Sequence, residues 1–408
     1  MTRDPDLPDL PAAPAARPAR FPVAAMLALA SGGFAIGTGE FVIMGLLPEV
    51  AASLNVSIAQ AGHAISAYAL GVTIGAPVLA VLTARWERRF LLVAMMLTLA
   101  LGNLASAAAA SYGWLLGLRF FAGLPHGAYF GAASLVAAAL APPGRHTSAV
   151  ALVMTKLTTS TVLGVPLAAR AGEWLGWRAA FVCVGLAALV AAAMIVRWVP
   201  RQAAAAQGSL LNELAALRVL QVWLTLGIGA IGFGGMFAVF SYIKPILLNV
   251  AHMPAQWVAP TLSVVGLGMV AGNLAGARLA DRWLMPSIAG ILLWTLASMG
   301  FFYWGSQWPL SAALAAFYVG TTGALSMDTQ IRLMDVAGRA QSLAAALNHS
   351  AFNIANALGA WLGGLVIDAG WGWRSTSWVG AALALGGLLI FALSATLAWR
   401  EGQRRPAA

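Results

Sequence analysis

The chain has 408 residues, 61% of them hydrophobic and only 9% charged, and its mean hydropathy is +0.82. Soluble domains carry roughly 25% charged residues, so this chain lacks the polar surface for a water-exposed fold and its apolar excess must face lipid. The formal net charge is +10. On so apolar a chain the basic residues mark loops at a membrane surface, and no nucleic-acid partner is expected.

The apolar runs are continuous Ala, Leu, Val and Gly without the alternation of a barrel strand, so the spans are helices. Cys183, the single cysteine, lies in such a run and reads as core packing. It leaves no intrachain disulfide or thiolate cluster, and no metal or cofactor is expected. Residues 1–20, rich in Pro, Ala and Asp, read as a disordered cytoplasmic tail. The stretch from Phe21 to Leu47 lacks a small-residue cleavage site and reads as an uncleaved first helix. Further spans are expected near 60–82, 90–110, 114–140, 148–169, 178–199, 220–243, 257–280, 285–305, 309–328, 341–366 and 375–399, giving twelve in all.

Lys and Arg fix the expected orientation. With both termini cytoplasmic, the inner side collects 17 of the 23 basic residues, the outer side holds only Arg170, Arg178, Lys244 and Arg374, and Arg119 and Lys156 fall within spans. The chain also matches itself at an offset near 197 residues: Pro48 with Pro245, Gly71 with Gly268, Arg85-Trp86 with Arg282-Trp283, and Gly123 with Gly320. Gly176-Trp177-Arg178 and Gly372-Trp373-Arg374 continue the series at 196, and Arg145 with Ser148 maps to Arg339 with Ser342 at 194. A six-helix repeat restores the original side of the membrane, so the halves are parallel copies with a cavity between them. The expected organisation is an N-terminal bundle at 21–199, a cytoplasmic linker at 200–219, a C-terminal bundle at 220–400 and a short tail at 401–408.

The two six-helix halves resemble the major facilitator superfamily. Within it, the segment Gly39-Glu40-Phe41-Val42-Ile43-Met44-Gly45-Leu46-Leu47-Pro48-Glu49 resembles the drug:proton antiporter group with twelve spans, particularly arabinose and sugar efflux permeases and chloramphenicol exporters. Arg119 to Gly127, Val162 to Leu167, and the run from Ser342 to Asn356 carry the same likeness. The resemblance implies an all-α fold of two six-helix bundles, a small-molecule substrate and a proton-coupled efflux cycle. It also implies a multi-pass monomer in the bacterial inner membrane, and a gate at Arg85, Arg88, Arg89, Asp281, Arg282, Gly164 and Pro166. Two departures stand out. Ala84 occupies the place of the acid in the family's loop motif, which only the second copy keeps as Asp281, and Val165 separates Gly164 from Pro166.

Of the 13 acids, only Glu40 lies well inside a span, with Asp328 near a cytoplasmic end. A carboxylate at such depth is costly in its charged form, so it must be paired, protonated or wetted, and Glu40 is the expected proton site. Arg119 lies at a similar depth, so the two can meet, and pairing of Glu40 with Arg119 or with Lys156 stays open. Arg119, Gly123, His126 and Phe130 recur on one helical face, and His126 is expected near the midplane as a proton relay or substrate ligand. Lys156 either snorkels to the inner surface, competes for Glu40 or binds substrate. His349, Asn353 and Asn356 form a polar stripe expected to face the cavity, with Tyr242 and Asn273 as further substrate candidates. Five glycines from Gly227 to Gly235 and four from Gly32 to Gly39 read first as close helix packing. One carboxylate accompanied by two cations disfavours strongly cationic cargo and favours neutral polar or amphipathic molecules. An importer or facilitator of the same fold is the alternative. A membrane-embedded enzyme lacks support, because no His-Glu-x-x-His run, P-loop or close carboxylate pair occurs in a span, and a sensor would be expected to carry a large soluble domain.

Overall fold

The computed structural model describes residues 22–142, 153, 159–202, 216–338 and 341–404, with the backbone alone for 216, 341–346 and 401–404. The expected N-terminal tail, Lys156 and most of the expected linker lie outside the described residues. Among the described residues the chain is helical and has no strand.

The first span is α1, Val23–Phe41, tightened into a 3-10 turn at Val42–Gly45 and continued by α2, Leu47–Leu54, whose first turn holds Pro48. Proline is tolerated there because its missing N–H would be unpaired in any case. α3, Ile58–Leu82, starts at a capping box in which Ser57 and Gln60 satisfy one another's backbone N–H groups. α4 spans Arg88–Ala107. The expected fourth span is two helices, α5, Tyr112–Gly123, and α6, Pro125–Leu140, meeting at Leu124 where Pro125 cannot continue the hydrogen-bond ladder. A π turn at Ser160–Gly164 leads into α7, Val165–Leu175, and then α8, Trp177–Trp198.

The second half opens with α9, Leu220–Gly227, a π turn at Ile228–Gly232, α10, Gly234–Phe240, and α11, Ile243–Asn249. α12, Val258–Gly305, runs for 48 residues but breaks at Trp283, whose φ of −150° and ψ of 67° are not helical. That break divides the expected eighth span from the ninth. α13, Pro309–Thr321, α14, Ala324–Ala337, α15, Gln341–Asp368, and α16, Thr376–Arg404, complete the chain. Among the described residues nine stretches are long and apolar enough to cross a bilayer, with both arms of α12 inside a single one of them.

Large apolar side chains cover the outside: Leu82, Leu167 and Leu389 are 67%, 68% and 66% exposed, a surface that only lipid can cover at low cost. Cys183 is also exposed, on α8, so it faces outward and does not fill the core. The repeat is visible in the packing itself. A Cβ on Gly71 would strike the carbonyl of Phe120 and one on Gly123 that of Tyr68, while in the second half Gly268 meets Phe317 and Gly320 meets Val265 in the same way. Each pair brings backbones into contact, which is why these glycines match at the repeat offset.

The halves meet along three lines. α3 lies against α15, with Ser66 Oγ donating to the Ala357 carbonyl at 3.0 Å and Ser350 Oγ to the Thr73 carbonyl at 3.2 Å. The π turn at 160–164 packs on α12, where Gly266 leaves room for the backbone of Val162. Phe41, at the end of α1, stacks on Phe237 of α10 with ring centroids 6.2 Å apart and meets Phe240 at 5.8 Å with the rings tilted by 60°.

Candidate functional site

Glu40 is the next-to-last residue of α1 and only 1% exposed. Its Oε1 accepts a hydrogen bond from Asn356 Nδ2 at 3.1 Å, and its Oε2 lies 3.9 Å from His126 Nδ1. The break at Leu124 sets His126 into the first turn of α6, where the Tyr68 hydroxyl of α3 also reaches Nδ1 at 3.3 Å. Arg119 on α5 is fully buried. Its guanidinium carbon sits 4.4 Å above the Tyr68 ring and 5.3 Å from that of Phe181, an arrangement in which ring faces replace part of its lost hydration.

Arg119 and Glu40 do meet, but at the Glu40 backbone and not at its carboxylate. Arg119 donates from one terminal nitrogen to the Glu40 backbone carbonyl at 3.5 Å, and its Nε and other terminal nitrogen have no hydrogen-bond partner among the described residues. The carboxylate instead takes its hydrogen bond from across the molecule. The polar stripe on α15 does turn inward. His349 stacks on Phe130 at 5.7 Å and 9°, lies 6.2 Å from the His126 ring, and its carbonyl accepts from Asn353 at 3.0 Å. Asn353 and Asn356 are fully buried, and the Oδ1 of each lacks a partner among the described residues.

Other expected site residues lie elsewhere. The Tyr242 hydroxyl donates to the Ala360 carbonyl at 2.7 Å and is packed among Gly62, Gly363 and Gly364, so it serves the seam between the halves. Asn273 is half-buried on α12 and has no hydrogen bond to the Glu40 cluster among the described residues. Of the expected gate, Arg85, Asp281 and Arg282 are exposed and form no ion pair among the described residues. Arg88 and Arg89 are half-buried, the Arg88 N–H donating to the Gln202 carbonyl at 3.0 Å and the Arg89 guanidinium to that of Val199 at 3.3 Å. Gly164 closes its π turn directly against the Thr38 side chain, and Pro166 sits in the first turn of α7, so this pair ties the fifth span to α1.

Three features escape the sequence reading. Tyr68 links His126 to Arg119 but is one aromatic among many in an apolar run. Lys244, expected in an outer loop, is a buried residue of α11 whose ammonium donates to Glu49 of α2 and, at 3.0 Å, to Glu173 of α7. A signal existed: Pro48-Glu49 and Lys244-Pro245 flank equivalent prolines of the repeat. The third is the depth of burial of Asp328 on α14: the sequence placed this acid only near a cytoplasmic end, and the structure buries it fully against Gly276.

Comparison with known proteins gives a consistent outcome. The family model described as Major Facilitator Superfamily matches residues 29–335. Inner membrane transport protein YdhP of Escherichia coli K12 is 38% identical over 371 residues, covering 91% of this chain and 95% of that protein. Putative transporter AraJ of the same strain is 33% identical, over 90% and 94%, and a chloramphenicol resistance protein of Streptomyces lividans is 31% identical, over 89% and 94%. The crystal structure of a D-xylose–proton symporter superposes with a TM-score of 0.73 over 92% of this chain and 97% of that one, at 16% identity.

Proposed function

The chain belongs to the Major Facilitator Superfamily and is therefore a multi-pass membrane transporter of small molecules, not an enzyme, and from that premise we propose that it is a proton-coupled antiporter exporting neutral polar or amphipathic compounds. The observation that carries this reading is a carboxylate buried at the seam, Glu40, contacted from the first half by His126 and from the second by Asn356. A carboxyl group touched by both halves can respond to which side of the membrane is open. In the proposed cycle Glu40 takes up a proton from outside with His126 beside it as a relay, cargo binds between the halves from the cytoplasm, and the two move in opposite directions.

The binding surface in this reading is the α15 stripe of His349, Asn353 and Asn356 with Phe130 opposite, supplemented by Lys156 from the fifth span. The unpartnered nitrogens of Arg119 repel strongly cationic cargo. Sugars and chloramphenicol-like molecules fit, in line with the similarity to the Streptomyces chloramphenicol resistance protein. A bacterial inner membrane, both termini cytoplasmic, two bundles at 21–199 and 220–400, and a monomer complete the proposal; the name of the E. coli relative supports the first of these.

Proton release from the detergent-solubilised protein on adding chloramphenicol or arabinose tests the reading. Release in the wild type that disappears in Glu40→Gln is the expected result. Binding of either compound without release, or release undiminished in Glu40→Gln, would remove Glu40 from the proton path.

A further inference from the structure

Asn356 and Glu40 are 316 residues apart, sit on opposite halves of the repeat, and share one hydrogen bond of 3.1 Å. The free end of each group, Asn356 Oδ1 and Glu40 Oε2, is buried and has no hydrogen-bond partner among the described residues. The groups facing Glu40 are His126 from α6, with Tyr68 of α3 behind it, Arg119 from α5 on the backbone carbonyl, and His349 of α15 beyond the His126 ring.

A carboxylate offers only acceptors, whereas a carboxyl group offers one acceptor and one O–H donor, and a primary amide also carries both kinds. Ionised Glu40 uses the N–H end of Asn356 and leaves Oδ1 without a donor. Protonated Glu40 matches both ends: the amide N–H donates to the carboxyl C=O, the carboxyl O–H donates to Oδ1, and both orphaned atoms are satisfied.

We propose that Asn356 is the positioning residue that converts protonation of Glu40 into contact between the two halves, a proton adding the second hydrogen bond of an acid–amide pair and its loss removing it. The inference rests on Glu40 as the proton site, and it assigns Asn356 to coupling in place of substrate binding. Transport then requires Asn356 even for cargo that never touches it.

The test needs no substrate. Spin labels on Leu82→Cys and Leu279→Cys, repeat-equivalent exposed positions on opposite halves, in a Cys183→Ser background, report the separation of the halves in lipid nanodiscs at about pH 5 and about pH 9. In otherwise wild-type protein the distance distribution shifts with pH by about tenfold in population, the size of one net hydrogen bond. Glu40→Gln, whose amide keeps a donor and an acceptor, holds the low-pH distribution at both values. Asn356→Leu abolishes the shift, Asn356→Gln restores part of it, and Asn356→Leu combined with Glu40→Gln loses the low-pH distribution. Asn356→Ala replaces Asn356→Leu should the latter not fold. A full shift in Asn356→Leu or Asn356→Ala, with Glu40→Gln insensitive to pH, overturns the role of Asn356 and leaves Glu40 standing. A shift that survives in Glu40→Gln overturns the proton-site reading, and absence of any shift in the wild type overturns the coupling role.

Discussion

Glu87 receives three backbone N–H groups: those of Arg89 and Gln202 at 2.9 Å and that of Phe90 at 3.0 Å. It caps α4 and ties the loop after α3 to the segment following α8, so this half keeps a structural carboxylate although Ala84 replaces the family's acid. Burial opposes its ionisation, but the hydrogen bonds from Gln202, Arg89 and Phe90 and the nearby Arg89 charge outweigh that and hold the carboxyl below its ordinary value of 4.5. Because the folded value is the lower one, the stabilisation is complete above the unfolded value and fades as pH falls through the folded one. Glu87→Ala should cost about 0.5–2 kcal/mol at neutral pH, the usual range for a lost N-cap. Thermal unfolding in detergent at about pH 7 and below about pH 4 checks this; a gap between mutant and wild type that does not narrow in acid would contradict it. The residue scale also shows where sequence reading succeeds. Glu40 stood out because an acid within a span is costly, and His126 because it shares a face with Arg119. The atom Arg119 would choose was not legible: reaching the backbone carbonyl in place of the carboxylate is decided by side-chain rotamers and by the ring of Tyr68 beneath it.

Among the helices, the repeat-matched glycines are the sharpest test of how packing was encoded. On α12, Gly268 faces the Phe317 carbonyl so closely that any Cβ forces the backbones apart, while Gly300 on the same α12 has nothing within 4 Å of its Cβ position. Gly268→Ala should therefore destabilise by about 1–3 kcal/mol. Gly300→Ala should be neutral or stabilising by up to about 1 kcal/mol, since alanine is the better helix former. Equal unfolding temperatures for the two variants would show that the close approach has no energetic weight. The element boundaries were largely legible from hydropathy. The breaks were less so: Pro125 announces the interruption at Leu124, but the π turns at 160–164 and 228–232 have no proline at their centre, and only packing against the opposite helices reveals them.

Across the whole molecule, the end expected outside is held shut by contacts between halves. Lys244 of the second half lies between Glu49 and Glu173 of the first, and Ser57 Oγ donates to Asp368 at 3.2 Å, while Arg170, on the same helix as Glu173, pairs with it at 3.2 Å within the first half. At the opposite end Arg85, Asp281 and Arg282 stay exposed without ion pairs among the described residues. Removing one partner of a buried ion pair leaves the others uncompensated. Lys244→Gln should thus weaken this closure, and a shift of about 1–2 kcal/mol toward the open form would raise labelling of Ala61→Cys by a water-soluble maleimide roughly 5- to 30-fold. Ala61 is a suitable reporter because it is buried near this end of α3. Labelling that matches the Lys244-containing control would mean that apolar packing around Phe41 and Tyr242 closes this end without help from charge.

The sequence by itself determined that the chain spans a membrane, that it does so with helices, that its halves are copies, and that Glu40 is the carboxylate with the most to explain. Those conclusions follow from local quantities: the cost of placing a polar group in lipid, the length of a bilayer crossing, and self-similarity at a fixed offset. Tertiary structure alone decided the partners. Asn356 reaches Glu40, Lys244 enters a cage of two glutamates, and His349 stacks on Phe130 because helices far apart in sequence are rotated and shifted against each other to satisfy all their close contacts at once. Helical periodicity gives the face on which a residue lies, but not the rotation of one half against the other that brings two such faces together.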